Sequence, residues 1–478
     1  MPSLVYALLS MTVLHTTAAT SNPSTPFTQG EYQKGSKLPI TRVQNDQLRF
    51  RRSQSSMMLS NQNKFSYLVP IRIGGQSFPL ILDTGSSDLW VVSDKCSSKD
   101  CSSVSRYSQP SSKDLETLGT PFDLSYLKGS VSGVVALDVV SLGSFEIRPQ
   151  VFGLADDIKD MNLAGNGHSG ILGLSFPSEA SISPNVAPTV LENIFKYLDE
   201  PYFAIKLGTS PGPNDPTSSL TFGQLDEKYA SHLSEFFFTP VSTAGASGYT
   251  YWKVSIQTFI VDGQPVQLSP STVRGVRDTQ IAVVDTGTTL IVGPTSDVDA
   301  IWGATGSAAR YNTNEKIWEV RCNKAVDIRL VLGNRDRHVE LPIDYEDVNW
   351  DEGEHESGWC IGGIQANDDV GSGDWLLGDA FLRSVYTVHF IGNTTHPPSM
   401  GFLGTVDRNV TYEQFRAKRG PDLDQSSPPP ANIQGVLRTP ARPAAPIVYS
   451  LGSAGGFIGG AAAMTAFRMR RRFLAGGL

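Results

Sequence analysis

Residues 80–92 read LILDTGSSDLWVV, and residues 282–293 read AVVDTGTTLIVG. The pattern is the same in both: an apolar run, Asp-Thr-Gly, two hydroxyl residues and a second apolar run. Asp83 and Asp285 stand 202 positions apart, too far for a local motif. An Asp-Gly turn closing a strand is common by itself. Two copies with the same flanks point instead to two similar halves, each contributing one carboxylate to a shared place. A carboxylate wedged between apolar strands is ordinarily excluded from such surroundings. Gly85 and Gly287 permit a sharp turn there and let backbone amides approach the carboxylate. Two such groups side by side cannot both ionise, so they share a proton and titrate as a pair. One charged and one neutral carboxyl around a water make an acid–base pair: one takes the water's proton and the other donates to a carbonyl.

The rest of the chain sets the context. At 478 residues it exceeds what a single core usually supports, which predicts two domains plus appendages. A net charge of −8 argues against a nucleic-acid partner, which needs a basic face. Between residues 61 and 405 the runs YLVPIRI, FPLILD, GVVALDVVSLG, YFAIKLG, SLTFG, WKVSIQTFIVDG, IAVVDTG, IRLVLG and VYTVHFIG are β-branched or aromatic and bounded by turn residues. Helical periodicity is scarce, and APTVLENIFKYL at 187–198 is the best helix candidate. Each half also carries a later apolar-Gly segment, SGILGLSF at 169–176 and DWLLGDAF at 374–381. The body is therefore mostly β and degenerately duplicated.

The N-terminus reads as an export address. LVYALLSMTVL is apolar and TTAAT supplies small residues for cleavage near Ala19, although no basic n-region precedes it. A buried N-terminal helix is the competing reading, and the polar, Pro-containing stretch that follows argues against it. Residues 20–52 are mostly polar and end at Arg51-Arg52, which reads as a dibasic processing site closing a flexible, basic propeptide. Four cysteines suit an oxidising compartment. Cys96 and Cys101 flank SSKD and can close a small loop; Cys322 and Cys360 can close a larger one. A zinc site competes, but paired Cys-x-x-Cys units and a His cluster are both missing, so disulfides are expected and no metal or cofactor. Asn393 in NTT and Asn409 in NVT are glycosylation sequons, whereas Asn22 is followed by Pro.

The two repeated segments, their strand contexts and their order resemble the pepsin-type eukaryotic aspartic proteases over roughly residues 65–405. The resemblance implies an all-β, bilobal fold with a cleft between two pseudo-twofold-related lobes, residues 53–240 and 241–405. It implies that Asp83 and Asp285 are the catalytic pair, that Ser86 and Thr288 bond the outer carboxylate oxygens, and that Thr84 and Thr286 interlock across the axis beside Gly85 and Gly287. The family's flap matches LSYLKGSVSG at 124–133, making Tyr126 the flap tyrosine, Trp90 its indole partner and Lys128 a residue of the flap tip. CSSKDC matches the first-lobe disulfide loop, and Cys322–Cys360 the second-lobe bridge. Leu127 stands where the flap usually has Gly, and Ser169 and Phe390 stand where many relatives have Asp. The substrates implied are peptides and proteins, taken by a monomer. A glycosidase also uses two carboxylates, but not as two copies of one hydroxyl-flanked turn. A catalytically inactive surface-binding relative is the other alternative, and the intact pair of triplets argues against it.

After residue 405 the composition changes. Residues 406–446 read as a Pro-rich stalk. Residues 447–467 hold 21 uncharged positions, long enough for a membrane helix but diluted by Gly and Ala, with Gly452, Gly456 and Gly460 at helix-packing spacing. Arg468, Arg470, Arg471 and Arg472 follow in the tail 468–478, as expected of the cytoplasmic side. The expectation is a single-pass cell-surface protein with its lobes outside; a glycolipid-anchored or secreted form, or a flexible Gly/Ala tail, is the alternative. Asp344, Glu346, Asp347, Asp351, Glu352, Glu354 and Glu356 crowd one stretch before Cys360, read as a solvated acidic loop that at most steers basic peptides.

Overall fold

The two Asp-Thr-Gly segments close two copies of one strand arrangement. The computed structural model describes residues 36–38, 41–44, 65–126, 129–182, 187–209, 218–350 and 358–421. In the first half, strand Gln76–Asp83 runs parallel to Gly170–Gly173, with Asp83 opposite Gly173. That short strand is antiparallel to Leu89–Val92, which lies parallel to Phe145–Lys159. In the second half, Gln280–Val284 runs parallel to Trp375–Leu377, with Val284 opposite Leu377. That strand is antiparallel to Ile291–Gly293, which lies parallel to Ile364–Ala366. The apolar-Gly segments of the sequence are thus the partners laid against each Asp-bearing strand. Strands buried on both faces read as continuous apolar runs, and LILD and IAVV do so.

Each arrangement sits in an eight-stranded sheet. A six-stranded sheet joins the halves: Tyr202–Lys206 pairs antiparallel with Val385–Phe390, placing Ala204 opposite Val388. The division at residue 240 is therefore not a division of cores, and one large apolar cluster includes Phe78, Leu82 and Phe203 together with Trp252, Val284 and Trp375. A four-stranded sheet that includes Ile317–Arg321 and Trp359–Gly362 completes the second half.

Three expectations change. Residues 20–52 are not uniformly a flexible cover: Ser36–Leu38 pairs with Leu220–Phe222, and Thr41–Gln44 pairs with Phe65–Leu68. An unpaired sheet edge is a template for any extended segment, which accounts for both strands. The helix expected over 187–198 spans Val190–Phe195, started by a capping box in which Thr189 and Glu192 bond each other's backbone amides. The stalk does not begin at 406, because Arg408–Arg419 is a helix whose Phe415 is buried against Tyr345. Its Arg408 pairs with Asp327, and its Lys418 and Arg419 pair with Glu346. Among the described residues no helix is long and apolar enough to cross a membrane. The signal segment 1–19, Arg51-Arg52, the stalk beyond residue 421, residues 447–467 and the Arg tail lie outside the described residues.

Candidate active site

Strand pairing delivers Asp83 and Asp285 to one place, both buried. A Cβ added at Gly85 would stand 2.5 Å from Asp285 Oδ1, and one added at Gly287 would stand 2.5 Å from Asp83 Oδ1. Only glycine fits at either position, because each turn passes directly over the other half's carboxylate. The Gly85 amide donates to Asp83 Oδ1 at 2.8 Å, and the Gly287 amide to Asp285 Oδ1 at 2.8 Å. The Ser86 hydroxyl donates to Asp83 Oδ2, and Thr288 Oγ1 donates to Asp285 Oδ2 at 2.7 Å. Each carboxylate is thus held by one amide and one hydroxyl from its own turn.

The threonines cross between the halves. The Thr84 amide donates to Thr286 Oγ1 and the Thr286 amide to Thr84 Oγ1, each at 3.0 Å. Thr84 Oγ1 in turn donates to Val284 O at 2.9 Å, and Thr286 Oγ1 to Leu82 O at 2.8 Å. Four buried bonds therefore fix one turn against the other.

Burial raises both carboxyls above the ordinary carboxylate range, and for Asp83 the charge of Asp285 adds to the rise. The hydroxyl and amide bonds oppose that rise at both groups. Among the described residues no cluster of His, Cys, Asp and Glu is arranged to hold a metal ion.

The eukaryotic aspartyl protease family model matches residues 66–396. This chain belongs to that family. It is 30% identical over 345 residues to pepsin A of Bos taurus, covering 71% of this chain and 85% of the relative. It is 31% identical over 369 residues to an aspartic protease of Phaffia rhodozyma, covering 76% and 82%. It is 29% identical over 339 residues to human gastricsin, covering 69% and 79%. The protein is an aspartic-type endopeptidase with the bilobal pepsin-like fold, and its substrates are peptides and proteins.

The other expected site residues fall as follows in this protease. Trp90 Nε1 donates to Tyr126 Oη at 2.8 Å, with both side chains buried. Burial lifts the Tyr126 phenol well above its usual value, and the charge of Asp83 lifts it further. Tyr126 directly follows the first strand of the hairpin Glu116–Ser125 and Ser130–Leu142, and its amide donates to Gly129 O at 3.0 Å. Leu127 and Lys128 lie outside the described residues. Cys96–Cys101 and Cys322–Cys360 are disulfides. Asn393 and Asn409 are exposed. Ser169 and Phe390 are buried in strand surroundings where a carboxylate would pay a desolvation cost, and the apolar or neutral residue relieves it.

The acidic stretch is not a solvated loop throughout. Asp344 caps the short helix Tyr345–Val348, Glu346 holds Lys418 and Arg419, and Asp347 is buried 3.1 Å from Arg383. Three of the seven acids are thus structural, and Asp351, Glu352, Glu354 and Glu356 lie outside the described residues.

Sequence reading missed Asp88, although it stands inside the quoted motif. Its buried carboxylate accepts the Ser181 amide at 2.8 Å and the Ile182 amide at 2.9 Å. Burial raises it to about 6 against those two bonds. The signal was available: an ionisable residue inside an apolar run needs partners.

Proposed function

We propose that Asp83 and Asp285 are the catalytic pair of an acid-active endopeptidase made as a zymogen and tethered to a membrane. The observation that carries the catalytic part is the symmetric cage around two buried, adjacent carboxyls. With one proton between them, the ionised carboxylate takes a proton from water as the water oxygen attacks the scissile carbonyl carbon. The neutral carboxyl gives its proton to the carbonyl oxygen. Collapse of the resulting gem-diol breaks the C–N bond, and the proton held since the attack passes to the leaving amine. Ser86 and Thr288 keep the carboxyls coplanar, while Thr84 and Thr286 with Gly85 and Gly287 set their separation. Tyr126, steadied by Trp90, covers the bound peptide, with Lys128 as a further residue of the flap.

Maturation is cleavage after Arg51-Arg52, and the strands Ser36–Leu38 and Thr41–Gln44 mean that such a cut separates two sheet-paired segments from the lobes. Export is supported by the two disulfides, which persist in oxidising compartments. Exposure of Asn393 and Asn409 is compatible with glycosylation. The C-terminal segment 447–467 with its Arg cluster is the anchor, joined to the lobes by a linker that starts after the docked helix Arg408–Arg419. The enzyme is a monomer at the cell surface. Cleavage of a denatured protein at acidic pH, blocked by a statine-type transition-state analogue, tests the catalytic reading. Absence of inhibitor-sensitive cleavage after propeptide removal would replace it with a binding module.

A further inference from the structure

Besides the threonine crossing and the shared six-stranded sheet, the two halves meet along a further seam. Trp252 Nε1 donates to Leu174 O at 2.9 Å, Ser175 Oγ to Thr250 O at 3.1 Å and Ser178 Oγ to Tyr249 O at 2.6 Å. Within it, Tyr251 Oη donates to Glu179 Oε2 at 2.8 Å, and this is the only one of the four bonds made by two side chains. Glu179 is buried at the end of the short turn Pro177–Glu179. A buried carboxyl is costly to keep, and a backbone acceptor would serve the tyrosine without that cost.

Both ends of this bond lead to the carboxyl pair. On the Glu179 side, the Leu174 amide donates to Asp83 O and the Ser175 amide to Ser86 O, each at 2.8 Å. Ser87 Oγ returns a bond to Phe176 O at 2.7 Å. On the other side, the Tyr251 ring packs with Val283, Val292 and Leu376, one from each of the three strands around Asp285. Lys253, also buried, lies with its Nζ 5.6 Å from the Tyr251 ring centroid, and the charge of Glu179 acts on it.

We propose that Glu179 is a positioning residue: through Tyr251 it ties the segment bonded to the Asp83 turn onto the wall behind Asp285, and so fixes the separation of the two carboxyls. This rests on the pair being catalytic. A misplacement of about 1 Å at a reacting group can cost on the order of 100-fold in rate.

The test is a kinetic cycle on Glu179→Ala, Tyr251→Phe and the double variant, assayed in acid well below the unfolding temperature. The expected result is a fall in kcat of about 10- to 100-fold in each single variant, with KM nearly unchanged. The double variant should be no worse than the poorer single, because both break one link. Glu179→Gln should keep most of the parent kcat, since its amide oxygen accepts the same hydroxyl. Parental kcat in folded Tyr251→Phe, additive losses in the double variant, or a Gln variant as poor as the Ala variant would each overturn the proposal. Tyr251→Phe removes a single hydroxyl, so it keeps the test decisive if Glu179→Ala does not fold. Turnover by Asp285→Asn would defeat the catalytic pair itself, whereas parental kcat in Tyr251→Phe beside an inactive Asp285→Asn defeats only this link.

Discussion

The Asp83 and Asp285 turns have matching cages and different surroundings. Five residues after the first aspartate stands Asp88, buried and holding two amides of residues 181–182. Five residues after the second stands Leu290, packed beside the Tyr251 cluster. Near the first turn lie Tyr126 and Trp90; behind the second lies an apolar wall. Duplication explains the shared hydrogen bonds, but the field on the two carboxyls is unequal. The difference teaches that symmetry of the cage holds the pair together, while on the proposed mechanism asymmetry around it decides which member keeps the proton.

The largest effect comes from deleting one side outright. Asp83→Asn or Asp285→Asn should lower turnover by about 1,000-fold or more, because an amide can neither share nor relay the proton. Both should retain the parent circular dichroism. Cleavage of an acid-unfolded protein substrate measures the loss.

Breaking the crossing comes next. Thr84→Val or Thr286→Val removes a hydroxyl that accepts an amide from the opposite half and leaves that amide buried without its acceptor. Each should cost about 1–3 kcal/mol of stability, read by denaturant unfolding, and the two should be less than additive because they share one crossing.

How much of this the sequence revealed depends on where partners lie. The aspartates, their hydroxyls and the apolar-Gly partner strands were legible, because the information is local and appears twice. Glu179 was not: one Glu in a Phe-Pro-Ser-Glu turn has no periodicity, and its partner Tyr251 is 72 residues away. The helix Arg408–Arg419 reads as stalk in the sequence because only Phe415 of it is buried, too thin a stripe to register. Its hold on the lobe comes largely from Asp327 and Glu346, whose involvement depends on the fold. The strands Ser36–Leu38 and Thr41–Gln44 are too short to announce themselves, and exist because two sheet edges are open to them.

A third prediction sharpens the comparison of the turns. Ser86→Ala and Thr288→Ala each remove the hydroxyl that favours the ionised form of its own carboxylate. Removal should raise that carboxyl, and the variant that moves the acid limb of the rate profile identifies the ionised member. Activity should fall by about 10-fold in that variant and less in the other.

The smallest effect on turnover concerns stability. His389 is buried between Phe203 and Trp252, with no hydrogen-bond partner for either ring nitrogen among the described residues. Burial lowers it to about 3, and lowers His168 to about 4. These groups fold neutral, so their full stability is present above about pH 6.5 and is lost as pH falls toward 3 for His389 and toward 4 for His168. Each costs about 1.4 kcal/mol per pH unit in that window. Asp88, raised to about 6, works in the opposite sense: its contribution is complete below about pH 4 and is lost as pH rises through 6. Across pH 4 to 6 the two histidines outweigh the one aspartate, so these groups together make stability rise with pH. In thermal unfolding followed from pH 3 to 7, His389→Leu should flatten that rise while leaving kcat near that of the parent.

The pH dependence of kcat/KM for the parent enzyme on one peptide tests most directly whether the two halves share a proton. A shared proton predicts a bell with two limbs, reporting apparent values that belong to the pair and fading as the second carboxyl ionises. A rate that stays flat from acid through neutral pH would contradict it.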